Sequence, residues 1–256
     1  MSSSTWTPAA LSSEARALSG TGWRLVEAQH RVSSLKLVDT VEEQELLERL
    51  VEATKPALPP EAAGLHYLLA TPFRYGAPYP AGSRFRRAGL SEGVFYAAQE
   101  PGTAVAEVAF YRLLFFAESP GTPWPSNPAE YTAFSVAYAT RRGIDLAAGT
   151  LARDPAAWTH LTDYAACQAL ADAARGARIE AIRYRSVRDP DGGRNIALLS
   201  ARAFARKNPT GQQSWHLRLA DSGAQAVCES PRLRFTLPWT AFAADPRIAA
   251  WLRSRR

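Results

Sequence analysis

The feature that most constrains this chain is the order of its strand and helix signals, which neither alternate regularly nor separate into blocks. A short strand candidate at Trp23-Arg24-Leu25-Val26 comes first. A helix follows: Thr40 and Glu43 form a capping box, Leu46, Leu47, Leu50 and Val51 supply an apolar stripe, and Lys55-Pro56 stops it. Pro56 to Gly64 is a turn-rich connector, and Leu65 to Gly93, rich in Gly, Pro and Arg, reads as an ordered loop of the kind that carries function. Gly93 to Ala98 reads as a buried strand. Pro101 opens a helix to about Ala117, and a proline-rich loop, Ser119 to Pro128, ends it. Phe134, Val136 and Tyr138 alternate along a half-buried strand from Tyr131. Asp154-Pro155 starts a helix to about Arg175 with Trp158, Leu161, Ala165 and Ala169 on one side. Strand candidates then crowd together at Ile179–Tyr184, Ile196–Phe204, Trp215–Leu219 and Leu233–Leu237. A doubly wound sheet needs strands and helices in strict alternation, so this order predicts an α+β domain. No repeat or low-complexity linker divides it. One domain is expected over residues 21–256, behind a Ser- and Ala-rich start, residues 1–20, that reads as poorly fixed.

Composition narrows the function classes. No stretch approaches the roughly 18 apolar residues of a membrane span. Met1 to Thr7 shows no basic region leading into an apolar core, so a cytoplasmic protein without a secretory leader is expected. Two cysteines, Cys167 and Cys228, are too few for a disulfide framework or metal cluster and read as buried apolar residues. The histidines, His30, His66, His160 and His216, have no metal-binding spacing, and there is no phosphate-binding glycine motif. The net charge is +6, and all basic residues but Lys36, Lys55 and Lys207 are arginines. That balance fits an Arg-rich composition and equally fits attraction of an anion.

Glu107 is the sharpest local anomaly. It is the sole charged residue between Gly102 and Tyr111, and its helical neighbours Thr103, Ala104, Phe110 and Tyr111 offer no partner cation. Such a carboxylate is either satisfied by a remote arginine or lines a pocket. Arg84, in Gly82-Ser83-Arg84-Phe85-Arg86-Arg87, reads as a solvated basic loop or as an anion cradle in which Gly82 admits close backbone approach. Arg74-Tyr75 is ambiguous in the same way, while Arg24 interrupts an apolar strand as a cleft-facing charge would. Ser186 ends a strand before the turn Asp189-Pro190-Asp191-Gly192-Gly193 and Asn195; it stands outside any G-x-S-x-G elbow.

Read in order, Trp23-Arg24, Phe73-Arg74-Tyr75, Gly82-Ser83-Arg84-Phe85, Gly93-Val94-Phe95-Tyr96, Thr103-Ala104-Val105-Ala106-Glu107 and Tyr184-Arg185-Ser186 with Asn195 resemble the RES-domain family, named for its Arg, Glu and Ser. The resemblance spans roughly residues 20–205, leaving C-terminal strands and a tail over 206–256; the helix at 41–54 and the strands after 210 are additions to the compact family pattern. It implies a fold like that of ADP-ribosyltransferases, with mixed and antiparallel sheets and flanking helices. It also implies a toxin of a bacterial toxin–antitoxin pair that consumes NAD as a substrate, by hydrolysis, phosphorolysis or transfer of ADP-ribose to a protein. No bound cofactor or metal is expected. The implied partner is an antitoxin, in the family commonly a helix-turn-helix protein that blocks the cleft.

Carried over residue by residue, the resemblance assigns the glutamate to Glu107, the serine to Ser186 and the arginine to Arg84 or Arg24, with Arg74, Tyr75, Tyr96 and Asn195 as further NAD-binding positions. Cleavage of the nicotinamide–ribose bond passes through an oxocarbenium-like state that a carboxylate stabilises. The leaving group is already cationic nicotinamide, so one carboxylate suffices. The alternative from a different class is a basic nucleic-acid-binding protein, drawing on Arg84 to Arg87 and on Arg253-Ser254-Arg255-Arg256; no recognised nucleic-acid-binding motif accompanies them.

Overall fold

A computed structural model describes residues 6–28, 37–74 and 79–255. Eight strands form one sheet: β1 (Arg16–Glu27), β2 (Phe95–Ala98), β3 (Ala129–Asp145), β4 (Ala181–Arg185), β5 (Arg194–Leu198), β6 (Gly211–Ala220), β7 (Gly223–Cys228) and β8 (Leu233–Pro238). Their order is β1-β2-β5-β4-β3-β6-β7-β8, and β1 also pairs along β3. That second pairing, from Arg16↔Gly143 to Glu27↔Tyr131, bends the first five strands into a closed circuit. β3 makes this possible by its length. Its first half pairs with β6, and its last residues, Gly143 to Asp145, run parallel to β4; the other strand pairs are antiparallel. The α+β class expected from the element order is therefore the observed one.

The helices are α1 (Pro8–Glu14), α2 (Val41–Thr54), α3 (Tyr67–Ala70), α4 (Pro101–Glu118), α5 (Pro155–Trp158), α6 (Ala165–Gly176) and α7 (Pro246–Ser254). Helix α4 lies against β6–β8 and α7, burying Val105, Ala109, Phe110 and Leu113 with Trp215, Leu217, Trp239 and Ile248. Helices α1 and α6 cover β4 and β5 from the other side through Leu11, Cys167, Leu170 and Ile182. A third cluster, around Phe73, Phe95, Phe134 and Tyr138, fills the circuit between β1, β2, β3 and β5. No helix among the described residues is long and apolar enough to cross a membrane.

Several expectations are corrected. The start of the chain is not loose where it is described: Thr7 caps α1, Pro8 opens it, and Leu11 is wholly buried on the α6 side. The helix expected from Asp154 to Arg175 breaks after Trp158. Arg84 takes the carbonyls of Trp158 and His160, while His160 Nδ1 accepts the N–H groups of Thr162 and Asp163, so the helical ladder stops there. The buried side of α6 is Cys167, Leu170, Ala171 and Ala174, and Ala165 and Ala169 are exposed. The strand expected to reach Phe204 ends at Leu198, and Ser200 caps a short 3-10 turn over Ala201–Ala203. Helix α2 has its capping box where expected, yet Leu46, Leu50 and Val51 are exposed. Strand β7 and helix α7 escape the sequence reading, although Asp245-Pro246 is the same start signal read at Asp154-Pro155.

Candidate active site

The site forms where the first turns of α4 meet the turn between β4 and β5. Pro101 starts α4, and its inward face is made of the small residues Thr103, Ala104 and Ala106, which let the helix approach the sheet closely. Glu107 emerges from that face, partly buried. Ser186 Oγ donates to Glu107 Oε1 at 2.7 Å, and Asn195 Nδ2 donates to the same oxygen at 2.7 Å. Three residues separated by 79 and 88 positions in the chain thus converge on one carboxylate oxygen. Oε2 stands outside that clamp. Two charge-assisted hydrogen bonds on one oxygen fix the direction of the group more firmly than one would.

The turn that presents Ser186 is itself tightly tied. Ser186 N–H donates to the Gly193 carbonyl, closing residues 186–193 into a loop. The hydroxyl oxygen of Ser186 accepts the N–H groups of Arg188 and Asp189, at 3.2 and 3.0 Å. Ser186 thus donates to Glu107 while its oxygen accepts two backbone N–H groups. Asp189 Oδ2 accepts from Thr103 Oγ1 at 2.7 Å and from Gly193 N–H, so the turn is stitched to α4 one helical turn before Glu107. A Cβ at Gly193 would lie 2.1 Å from Thr103 Oγ1, and only glycine fits there. Asn195 stands on β5 between Ala98 and Tyr184, and its Oδ1 is buried without a hydrogen-bond partner among the described residues.

Tyrosines border the carboxylate. Tyr184 lies within electrostatic reach of Glu107, Tyr96, Arg84 and Tyr111; burial first and Glu107 second push its phenol well above the ordinary value. Burial pushes Tyr96 up to about 12. These groups stay protonated at neutral pH and serve as neutral walls. Tyr96 also spends its hydroxyl locally, at 2.8 Å from Ser83 Oγ and accepting the N–H of Phe85.

The arginines divide. Arg84 is buried, donates to the carbonyls of Trp158 (2.9 Å) and His160 (3.0 Å), and stacks 4.6 Å over Tyr164, so it braces the break between α5 and α6. Gly82 has φ +65°, and a Cβ there would press on Arg86 O and Ala88 N, so the close approach it permits is to its own loop. Arg86 lies 4.3 Å over Tyr79 and Arg87 pairs with Asp172, which leaves the run at 84–87 no open basic face. Arg74 donates to Glu52 and to Pro56 O, tying α2 to the body of the protein. Tyr75 lies outside the described residues. Arg24 behaves differently. Burial lowers its pKa, its guanidinium sits 5.1 Å over Phe95 and near Tyr79 and Tyr96, and Nη1 is buried with no hydrogen-bond partner among the described residues. A buried guanidinium with an unused donor is costly and is relieved by an arriving anion.

Sequence reasoning missed Thr103, Arg188 and Asp189. Thr103 was discoverable, because it lies four residues before Glu107 and so shares its helix face.

The family model described as RES domain matches residues 58–220. No curated protein matches the chain. Among solved structures, the crystal structure of the M. tuberculosis MbcT-MbcA toxin-antitoxin complex matches at 15% identity and a TM-score of 0.44, over 79% of this chain and 90% of that one.

Proposed function

The chain belongs to the RES-domain family, and from that premise we propose that it consumes NAD, cleaving the nicotinamide–ribose bond at Glu107 and acting as the toxin of a toxin–antitoxin pair. The observation that carries this reading is the convergence of Ser186 and Asn195 on Glu107 Oε1. A carboxylate held in this way stabilises positive charge developing on the ribose and orients the acceptor, and it needs no reorganisation as the bond breaks. Arg24, with its unused Nη1, is the pyrophosphate-binding arginine of this reading, and the neutral rings of Tyr96 and Tyr184 flank the nicotinamide. The unpartnered Oδ1 of Asn195 accepts from a ribose hydroxyl or the carboxamide. Water, phosphate or a protein side chain is the acceptor. A cytoplasmic setting follows from this role, and the partner is an antitoxin of helix-turn-helix type that covers the cleft.

The test is incubation of the purified protein with NAD, followed by product analysis. Free ADP-ribose identifies water as acceptor, its 1″-phosphate identifies phosphate, and a modified protein identifies transfer. Glu107→Gln keeps the fold and stops NAD loss; a variant that depletes NAD as fast as the parent sinks the assignment.

A further inference from the structure

The matched family span ends at residue 220, yet one later residue reaches the site. Asp245 begins α7, its side chain accepting the N–H of Arg247, and it is 1% exposed. It accepts Nη1 of Arg188 at 2.7 Å. Arg188 is itself 3% exposed; its Nη2 donates to Leu161 O, and its guanidinium lies 3.8 Å over the ring of Phe110, one helical turn beyond Glu107. Phe242 meets the same ring edge-on at 5.6 Å. The backbone N–H of Arg188 is one of the two donors to Ser186 Oγ. A single residue is therefore gripped at its side chain by α7 and at its backbone supports the hydroxyl that donates to Glu107. A fully buried ion pair is an expensive way to stabilise a fold, because apolar residues of similar volume serve as well or better; its natural use is to fix register.

We propose that Arg188 and Asp245 are positioning residues: through them, α7 fixes the turn at 186–193 and thereby the direction of the Glu107 carboxylate. The inference rests on the reading of Glu107 as the acting carboxylate. It makes the segment after residue 220 part of the catalytic apparatus without touching substrate.

The experiment uses the full chain with both charges removed together, Arg188→Met with Asp245→Leu. The thermal midpoint falls by a few degrees, because Asp245→Leu also removes the α7 cap and the partner of Arg247, while kcat for NAD per folded molecule falls at least about tenfold and KM stays within about twofold. Amide hydrogen exchange over residues 186–193 becomes at least about tenfold faster, a readout that needs no substrate. Arg188→Lys, which keeps the charge and loses the fork, falls between parent and double variant. Arg255→Ala, at the exposed far end of α7 where Arg255 meets Asp221, leaves all three quantities at parent values. Parent-level kcat with unchanged exchange in the double variant overturns the proposal. If the double variant fails to fold, Arg188→Lys and Asp245→Asn are read by the same measurements and the same criterion. A parent protein that does not cleave NAD refutes the function proposed above, and the exchange of residues 186–193 still decides the brace.

Discussion

The turn at 186–193 and the hairpin at 79–89 both carry a serine and two glycines, with one arginine in the turn and three in the hairpin, and both lie close to Tyr184, but their polar groups go to different ends. In the turn, hydrogen bonds pass from backbone to Ser186 and from Ser186 to Glu107, so the chain of donors finishes on the Glu107 carboxylate. In the hairpin, closed by Tyr79–Gly89 and Ser83–Arg86 backbone pairs, the arginines are consumed within the fold. Arg84 satisfies two carbonyls, Arg86 a tyrosine ring and Ser91, and Arg87 an aspartate. An arginine-rich loop is thus not an anion site when unsatisfied carbonyls lie within its reach. The unused donor lies instead at Arg24, whose strand has spent its own carbonyls on β3; among the described residues its Nη1 meets no hydrogen-bond partner.

Four substitutions break or sharpen this contrast. Glu107→Gln has the largest effect: kcat/KM for NAD falls about 10²- to 10³-fold, about 3–4 kcal/mol in the barrier, with urea unfolding unchanged. Arg84→Ala costs about 2–3 kcal/mol of stability, since the buried Trp158 carbonyl and the part-buried His160 carbonyl lose a charged donor. Urea titration checks it, and turnover per folded molecule close to the parent's shows Arg84 to be a brace. Asn195→Ala lowers kcat about tenfold, about 1.4 kcal/mol, because Glu107 Oε1 keeps only Ser186 as donor; steady-state kinetics that move KM alone contradict the clamp. Arg87→Ala, which removes only an exposed pair with Asp172, shifts stability by less than about 0.5 kcal/mol.

The α+β class and the chain positions of Glu107, Ser186 and Asn195 were legible because they are local: a lone charge in an apolar helix, and a turn after a strand. Their convergence was not legible from spacing alone, since it depends on β5 returning antiparallel beside β4. The choice among the arginines stayed open for the same reason. Whether Arg84 faces solvent, substrate or a carbonyl is decided by the break at Trp158–His160, and that break is in turn made by Arg84. Pattern reasoning treats such mutual dependence as a continuous helix. Helix α2 gives the converse case, where capping residues alone marked both ends although none of its residues is buried.

The 79-residue separation between Glu107 and Ser186 also has a meaning in time. At a synthesis rate of about 5–20 residues per second, Glu107 joins the chain about 4–16 s before its first donor exists. Strand β1 must likewise wait for β3 before the circuit of strands can close. A nascent chain therefore carries the Glu107 carboxylate unclamped for about a third of its synthesis, and a chain that stops before residue 186 lacks both donors to Oε1.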